Sequence, residues 1–332
     1  MGNLKQINLG KGGPLVSSFG LGCMGMSDFY GNKDTRDDKE SIATIHAALE
    51  AGISFFNTGD FYGMGHNELL LREAIKGKRE KFFISVKFGA LRSHNGQFLG
   101  YDLRPQAVKN FVSYSLQRLG TDYIDLYQPS RPDPEVPVED TVGAISELIQ
   151  EGKVRYLGLS ESGEEVIRRA HKVHPVSALE IEYSLATRVA EKKILPTTRE
   201  LGISLVAYGA LSRGLLSGTI TGNLAPGDFR SFSPRFSSEN LTKNNLLVEE
   251  LKKIADGRGA TPSQIALAWV ANQGEDILTL IGTSKRTRLA ENLKATEIQL
   301  SDEEKSRLNE IFHENAVLGE RYPSQGMAHV VS

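Results

Sequence analysis

Two residues stand at the ends of apolar runs where their chemistries would combine. Tyr62 closes the stretch Phe55-Phe-Asn57-Thr-Gly-Asp60-Phe-Tyr62-Gly, and Lys87 follows Phe83-Ile-Ser-Val86. A phenol titrates near ~10, too weak an acid to protonate a carbonyl oxygen readily at neutral pH. An ammonium a few ångströms away favours the phenolate and pulls that value down, so the pair would act as a tuned general acid. Singly, a tyrosine at a strand end packs and a lysine is solvated; it is the combination that points to chemistry. Other polar residues close further apolar runs: Ser130-Arg131-Pro-Asp133 after Leu126-Tyr-Gln-Pro, and Ser160-Glu161 after Gly158-Leu.

Such residues need a scaffold, and the chain supplies a repeating one. Short β-branched or aromatic runs alternate with segments whose apolar residues recur every three or four positions. The runs are 19–22, 54–56, 82–87, 123–128, 154–159, 177–182, 204–207 and 278–281, which makes eight strands. Helices are expected near 39–50, 66–76, 105–118, 138–150, 163–173 and 189–201. Ser162-Gly-Glu-Glu165 and Thr261-Pro-Ser-Gln264 read as capping boxes, and Pro105 as the first residue of a helix. Eight alternating units fit a doubly wound sheet or a closed (β/α)8 TIM barrel. The count favours the barrel, and Lys5-Gln-Ile-Asn-Leu…Pro14-Leu-Val suits an N-terminal β-hairpin plug over one end. In a barrel the residues just past the C-terminal ends of strands are the catalytic candidates. The long loop after strand 7, Tyr208 to about Lys243, lies on that face and has the composition of a lid. The tail from Ala316 to Ser332 is equally irregular and could fold over the same mouth or simply fray. No linker divides the chain, so residues 1–332 read as one domain.

Composition removes several alternatives. With 39 Lys/Arg interleaved among 41 Asp/Glu, the chain lacks the basic footprint of a nucleic-acid binder. No apolar run approaches the ~18 residues of a membrane span, and the N-terminus lacks an apolar signal core. The lone Cys23 cannot form an internal disulfide, which suits a reducing, cytoplasmic setting. The histidines show no metal spacing; His171 and His174 flank a helix exit, where the dipole favours them, and His66 reads as a helix start. Gly20-Leu-Gly-Cys-Met-Gly25 matches a dinucleotide fingerprint, but no helix opens within it. It reads as a tight turn.

The most specific stretches are residues 55–68, Leu116-Gln-Arg-Leu-Gly-Thr-Asp-Tyr-Ile-Asp-Leu-Tyr127, Gly152-Lys-Val-Arg-Tyr-Leu-Gly-Leu-Ser160, Glu182-Tyr-Ser-Leu185 and Leu211-Ser-Arg-Gly-Leu-Leu-Ser-Gly218. In these, over nearly its whole length, the chain resembles the aldo-keto reductases. The likeness is to the branch with potassium-channel β-subunits and bacterial auxin-induced-like reductases. The resemblance implies a (β/α)8 barrel and NADPH-dependent reduction of an aldehyde or ketone, with a small-molecule carbonyl substrate. It leaves room for a homo-oligomer. Tyr62 matches the family's proton donor and Lys87 its partner. Two catalytic positions depart: Asn57 stands for aspartate and Ser130 for histidine. Asn57 can still accept from Lys87, but it removes the lysine's counter-ion, and Ser130 carries no charge. Arg131 could supply a cation, though alternation would turn it away if its strand ran that far.

The same resemblance assigns the cofactor positions. Thr283, Ser284, Lys285 and Arg288 would hold the adenosine 2′-phosphate, a dianion suited to hydroxyls and cations near a helix start. Glu291 and Asn292 would face the adenine. Tyr208 would stack on the nicotinamide and Ser160 would bond its carboxamide, beside Gly22 and Met24 at the end of the first strand. Glu161 and Glu180 stand where the family has amides; a carboxylate accepts from the carboxamide NH₂ but cannot donate to its oxygen. Leu211, Ser212, Gly214, Leu215 and Ser217 would hold the pyrophosphate. Two other classes compete: a nucleotide-binding regulatory subunit with little or no turnover, and a lyase using Lys87 as a Schiff base. The cluster at 283–288 disfavours the lyase.

Overall fold

The computed structural model describes residues 4–27, 29, 36–222, 224 and 228–330. Part of the expected loop after the first strand, four residues of the long loop and the last two of the tail lie outside these. A hairpin, β1 (Gln6–Asn8) and β2 (Leu15–Ser17), opens the chain. Barrel strands β3 (Phe19–Gly22), β4 (Phe55–Gly59) and β5 (Phe83–Phe88) follow. A second hairpin, β6 (Ala90–Arg92) and β7 (Phe98–Tyr101), stands outside the barrel. Then come β8 (Ile124–Pro129), β9 (Val154–Ser160), β10 (Val176–Glu182), β11 (Ser204–Tyr208) and β12 (Ile277–Gly282). The eight strands β3-β4-β5-β8-β9-β10-β11-β12 close into a parallel barrel. This is the (β/α)8 fold expected from the alternation.

Helices α1 (Asp38–Glu50), α2 (His66–Ile75), α3 (Pro105–Leu119), α4 (Val138–Gln150), α5 (Glu164–Val173) and α6 (Ile194–Leu201) occupy the expected segments. Helix α6 is shorter at its start, where a separate 3-10 turn covers Val189–Glu191. Beyond β11 lie α7 (Ser238–Gly257), α8 (Pro262–Ala271), α9 (Arg286–Leu293), α10 (Asp302–Ile311) and the short α11 (Ser324–Met327). The irregular stretch after β11 therefore ends at Ser237, earlier than its composition indicated.

The capping box at Thr261 is present, with Thr261 and Gln264 each bonding the other's backbone. The one expected at Ser162 is not. Gly163 caps α5 without a side-chain bond, and Ser162 Oγ turns back to the Ser160 carbonyl. The cause is Glu161, whose φ of 47° reverses the chain between strand and helix.

Period-two alternation sorts the barrel interior into layers. Phe55, Leu126, Ala178, Val206, Leu278 and Leu280 form an apolar floor, joined by Ile7, Leu9 and Val16 near the hairpin. Phe55 stacks on Phe83 at 5.4 Å, and truncating such a fully buried ring to alanine costs about 3–5 kcal/mol. Two residues further along the same strands the interior turns polar with Asn57, Gln128 and Glu180, and Lys87, four residues past Phe83, joins them; all four are buried. Glycine makes room in both layers. A Cβ on Gly20 would meet Phe55 at 2.9 Å, and one on Gly158 would meet Gln128 Oε1 at 2.7 Å.

Candidate active site

Tyr62 follows the end of β4 and is held by a sharp turn. Gly63, Met64 and Gly65 all have positive φ, which is easy for glycine and strained for Met64. The Tyr62 ring is flanked edge-on by Phe61 at 4.8 Å and Phe29 at 5.9 Å. Behind it, Asn67 at the start of α2 accepts from Thr58 and donates to the Cys23 carbonyl and Ser27 Oγ. His66 also bonds Ser27 and Asp38, which confirms it as a helix-start anchor. Among the described residues no cluster could hold a metal.

Lys87 Nζ lies 5.3 Å from the centre of the Tyr62 ring, and each residue is 5% exposed. The expected loss of the lysine's counter-ion does not occur. Lys87 Nζ donates to Asn57 Oδ1 at 2.6 Å and also to Glu180 Oε1 at 2.8 Å. Glu180 Oε2 accepts from Asn57 Nδ2 at 2.7 Å and from Gln128 Nε2. The carboxylate thus comes from β10 instead of β4. Burial pulls the Lys87 ammonium below its ordinary pKa, while Glu180 works in the opposite direction. Cys23 nearby is pushed up to about 12 by burial, which keeps it a thiol.

Ser130 and Ser160 are both buried at strand ends, and their hydroxyls have no hydrogen-bond partner among the described residues. Strand β8 stops at Pro129, so alternation no longer governs Arg131. Its guanidinium donates to the Ser130 carbonyl and to Tyr322 Oη at 3.1 Å.

The tail does reach the mouth. Arg321 Nη1 and Nη2 grip the two oxygens of Glu161 at 2.9 and 3.1 Å, with side chains 4% and 0% exposed. Tyr208 Oη donates to Glu161 Oε1 at 2.7 Å and lies 3.3 Å from Tyr322 Oη. Burial opposes ionisation of Glu161, but Arg321 and Arg131 outweigh it and hold the carboxyl below its usual range. Glu182 lies one layer on, within 3.6 Å of Arg213, Arg235 and Arg321. Arg321, Tyr322, Arg235 and Glu182 escaped assignment from sequence; only the chemistry-rich string Gly319-Glu-Arg-Tyr322 hinted at the first two.

The remaining expected positions spread around the same rim. Ser212, Arg213 and Gly214 have successive positive φ values, so the loop after β11 doubles back over the mouth. Gly22 ends β3 and Met24 opens the 3-10 turn after it. Leu211 precedes the turn that contains Leu215 and Ser217, and Ser217 Oγ is taken by the Gly214 carbonyl. Past β12, Thr283 Oγ1 accepts from Lys285 N–H beside Ser284, which sets the start of α9. Arg286 is occupied by Glu40, whereas Lys285 and Arg288 are exposed and make no ion pair among the described residues. Glu291 is exposed; Asn292 is buried.

A closed parallel barrel thus carries a phenol and a lysine buried together at its C-terminal mouth. The chain belongs to the Aldo/keto reductase family, whose sequence model matches residues 20–313. It is 40% identical over 321 residues to a Glycine max protein named "Probable aldo-keto reductase 1", covering 96% of this chain and 92% of that one. Among solved structures it is similar to a glycerol dehydrogenase of Gluconobacter oxydans, with TM-score 0.82 and 31% identity over 92% of this chain and 94% of that one. It is also similar to the holo form of a Bacillus halodurans aldo-keto reductase, with TM-score 0.77 and 29% identity over 93% and 96%. Membership makes oxidoreduction of carbonyl compounds with a nicotinamide cofactor its class of chemistry.

Proposed function

We propose that the chain reduces an aldehyde or ketone to an alcohol with NADPH, and that Tyr62 delivers the proton. The observation that carries this reading is the Tyr62–Lys87 pair, buried together at the end of β4 and β5 with Nζ 5.3 Å from the ring. The residues present fit the cofactor. Ser160 offers a buried hydroxyl with no partner among the described residues where a carboxamide would sit, and Lys285 and Arg288 offer exposed cations beside the start of α9. NADPH, when bound, supplies the hydride.

The chain's own part is the proton. An ammonium next to a phenol favours the phenolate and so makes Tyr62 a stronger acid. The apolar floor and the flanking rings of Phe61 and Phe29 exclude water on the sides away from the mouth. Ser130 cannot carry a charge as an imidazole would, which leaves Tyr62 as the single dominant acid. The buried, unpaired thiol of Cys23 fits a reducing, cytoplasmic setting.

Tyr62→Phe tests the reading, because only the hydroxyl is lost. Carbonyl reduction should fall by about 10²–10⁴-fold, the usual worth of a positioned acid. NADPH affinity, read by fluorescence titration, should stay nearly unchanged. A variant matching the unmodified protein on every reduced substrate would remove Tyr62 as the acid. A nucleotide-binding regulatory subunit would then be the better description.

A further inference from the structure

Asn57, Lys87 and Glu180 form a closed ring of donors and acceptors that admits only one acid. Lys87 has only protons to give, so Asn57 must turn its oxygen to Lys87 and its NH₂ to Glu180, as the distances of 2.6 and 2.7 Å record. Two acids at positions 57 and 180 would set carboxylate oxygens against each other at that 2.7 Å contact. Two amides would leave a buried ammonium with no counter-charge, a costly arrangement. The family pattern implies aspartate at 57 and glutamine at 180, and this chain has acid and amide exchanged. The two strands face each other across the barrel: in the ring β3-β4-β5-β8-β9-β10-β11-β12, β4 is second and β10 sixth. Side-chain exposures of 6% for Lys87 and 3% for Glu180 mean that water screens the pair little.

We propose that Glu180 is the positioning residue that keeps Lys87 an ammonium beneath Tyr62, and that Asn57 and Glu180 work only as an exchanged pair. Glu180 acts through Lys87 and touches no reacting atom. Its oxygens are taken by Lys87, Asn57 and Gln128, which ties four barrel strands together under the site. Gln128 adds a neutral donor that only an acceptor at 180 can use. The inference rests on the proposed reductase reading for its meaning in catalysis, but the protonation of Lys87 can be measured without turnover.

The test compares the unmodified protein with Glu180→Gln, Asn57→Asp and the double variant. Lysine labelled with ¹³C at Cε reports the Lys87 titration by NMR in cofactor-free protein, with Lys87→Met giving the assignment. Glu180→Gln should lower that titration by about 1–3 pH units, the effect of removing an opposite charge at contact. The alkaline limb of its kcat/KM profile should move down in step. Asn57→Asp should be destabilised by its two facing carboxylates. The double variant should recover both the lysine titration and the pH profile, so that each change alone harms and the two together do not. If Glu180→Gln does not fold, the double variant decides alone by showing, or failing to show, the original lysine titration. An unmoved titration in Glu180→Gln, or a double variant no better than that single, overturns the proposal. A titration that moves as expected in a protein with no carbonyl turnover would uphold Glu180 and sink the reductase reading instead.

Discussion

Breaking the Arg321–Glu161 pair should cost more than breaking any surface pair of similar geometry. Arg321→Met removes two charge-assisted hydrogen bonds, at 2.9 and 3.1 Å, from a carboxylate that is 0% exposed. Stranding a buried ion usually costs about 3–5 kcal/mol. Glu161 would still keep the Tyr208 hydroxyl and the Glu182 N–H, with Arg131 nearby. That residual support brings the expected loss to about 2–4 kcal/mol, starting from the same figure. Glu161→Gln strands Arg321 less severely, because Glu182 lies 3.6 Å away. A double-mutant cycle should therefore return a coupling of about 2 kcal/mol or more. Arg168–Glu200 is the control: it is bidentate, but its side chains are 35% and 60% exposed, so its coupling should stay below about 1 kcal/mol. Native-state hydrogen exchange at peptides spanning Tyr322 reads the opening of the tail directly. Because the Glu161 carboxyl is held below its ordinary range in the folded protein, the contribution is present above the unfolded value of about 4.3. It disappears as pH falls through the folded value. A coupling no larger than the control's would refute the claim that burial makes this pair worth more than a surface one.

Two further outcomes follow from other parts of the structure. If Lys285 and Arg288 grip a 2′-phosphate, NADPH should bind at least ~10²-fold tighter than NADH, from two charge-assisted contacts of about 1.5–3 kcal/mol each; equal dissociation constants by fluorescence titration would dismiss the assignment. Burial and then Glu68 push the Asp60 carboxyl well above its usual range, so the folded state holds its proton more tightly than the unfolded one. Stability from that proton is complete below the unfolded value near ~3.9 and is lost as pH rises toward the folded value. Asp60→Asn should therefore be more stable than the unmodified protein at pH ~8, with the advantage shrinking toward pH ~4 by this linkage. A difference that stays constant across pH in thermal melts would contradict it.

The strands were legible because burial on both faces writes continuous apolar runs, and Lys87 and Asn57 stood out by interrupting them. The counter-ion was not legible. Glu180 sits 93 residues from Lys87, and only barrel closure brings β10 opposite β4. The Arg321–Glu161 contact spans 160 residues and begins in a tail with no periodic pattern to place it. Ser162 misled for a local reason: the spacing of a capping box is a one-dimensional signal, and the left-handed turn at Glu161 redirected the hydroxyl.

The layered interior has a consequence for proton supply. Below Lys87 the barrel is shut by Phe55, Leu126, Ala178 and Val206, with Ile7, Leu9 and Val16 packed beneath, and such side chains offer a proton no stepping stones. On the proposed chemistry, Tyr62 must regain its proton from the mouth side, where Arg321 and Tyr322 meet Glu161 and Tyr208. On that chemistry, recharging Tyr62 and loading substrate draw on the same side of the barrel.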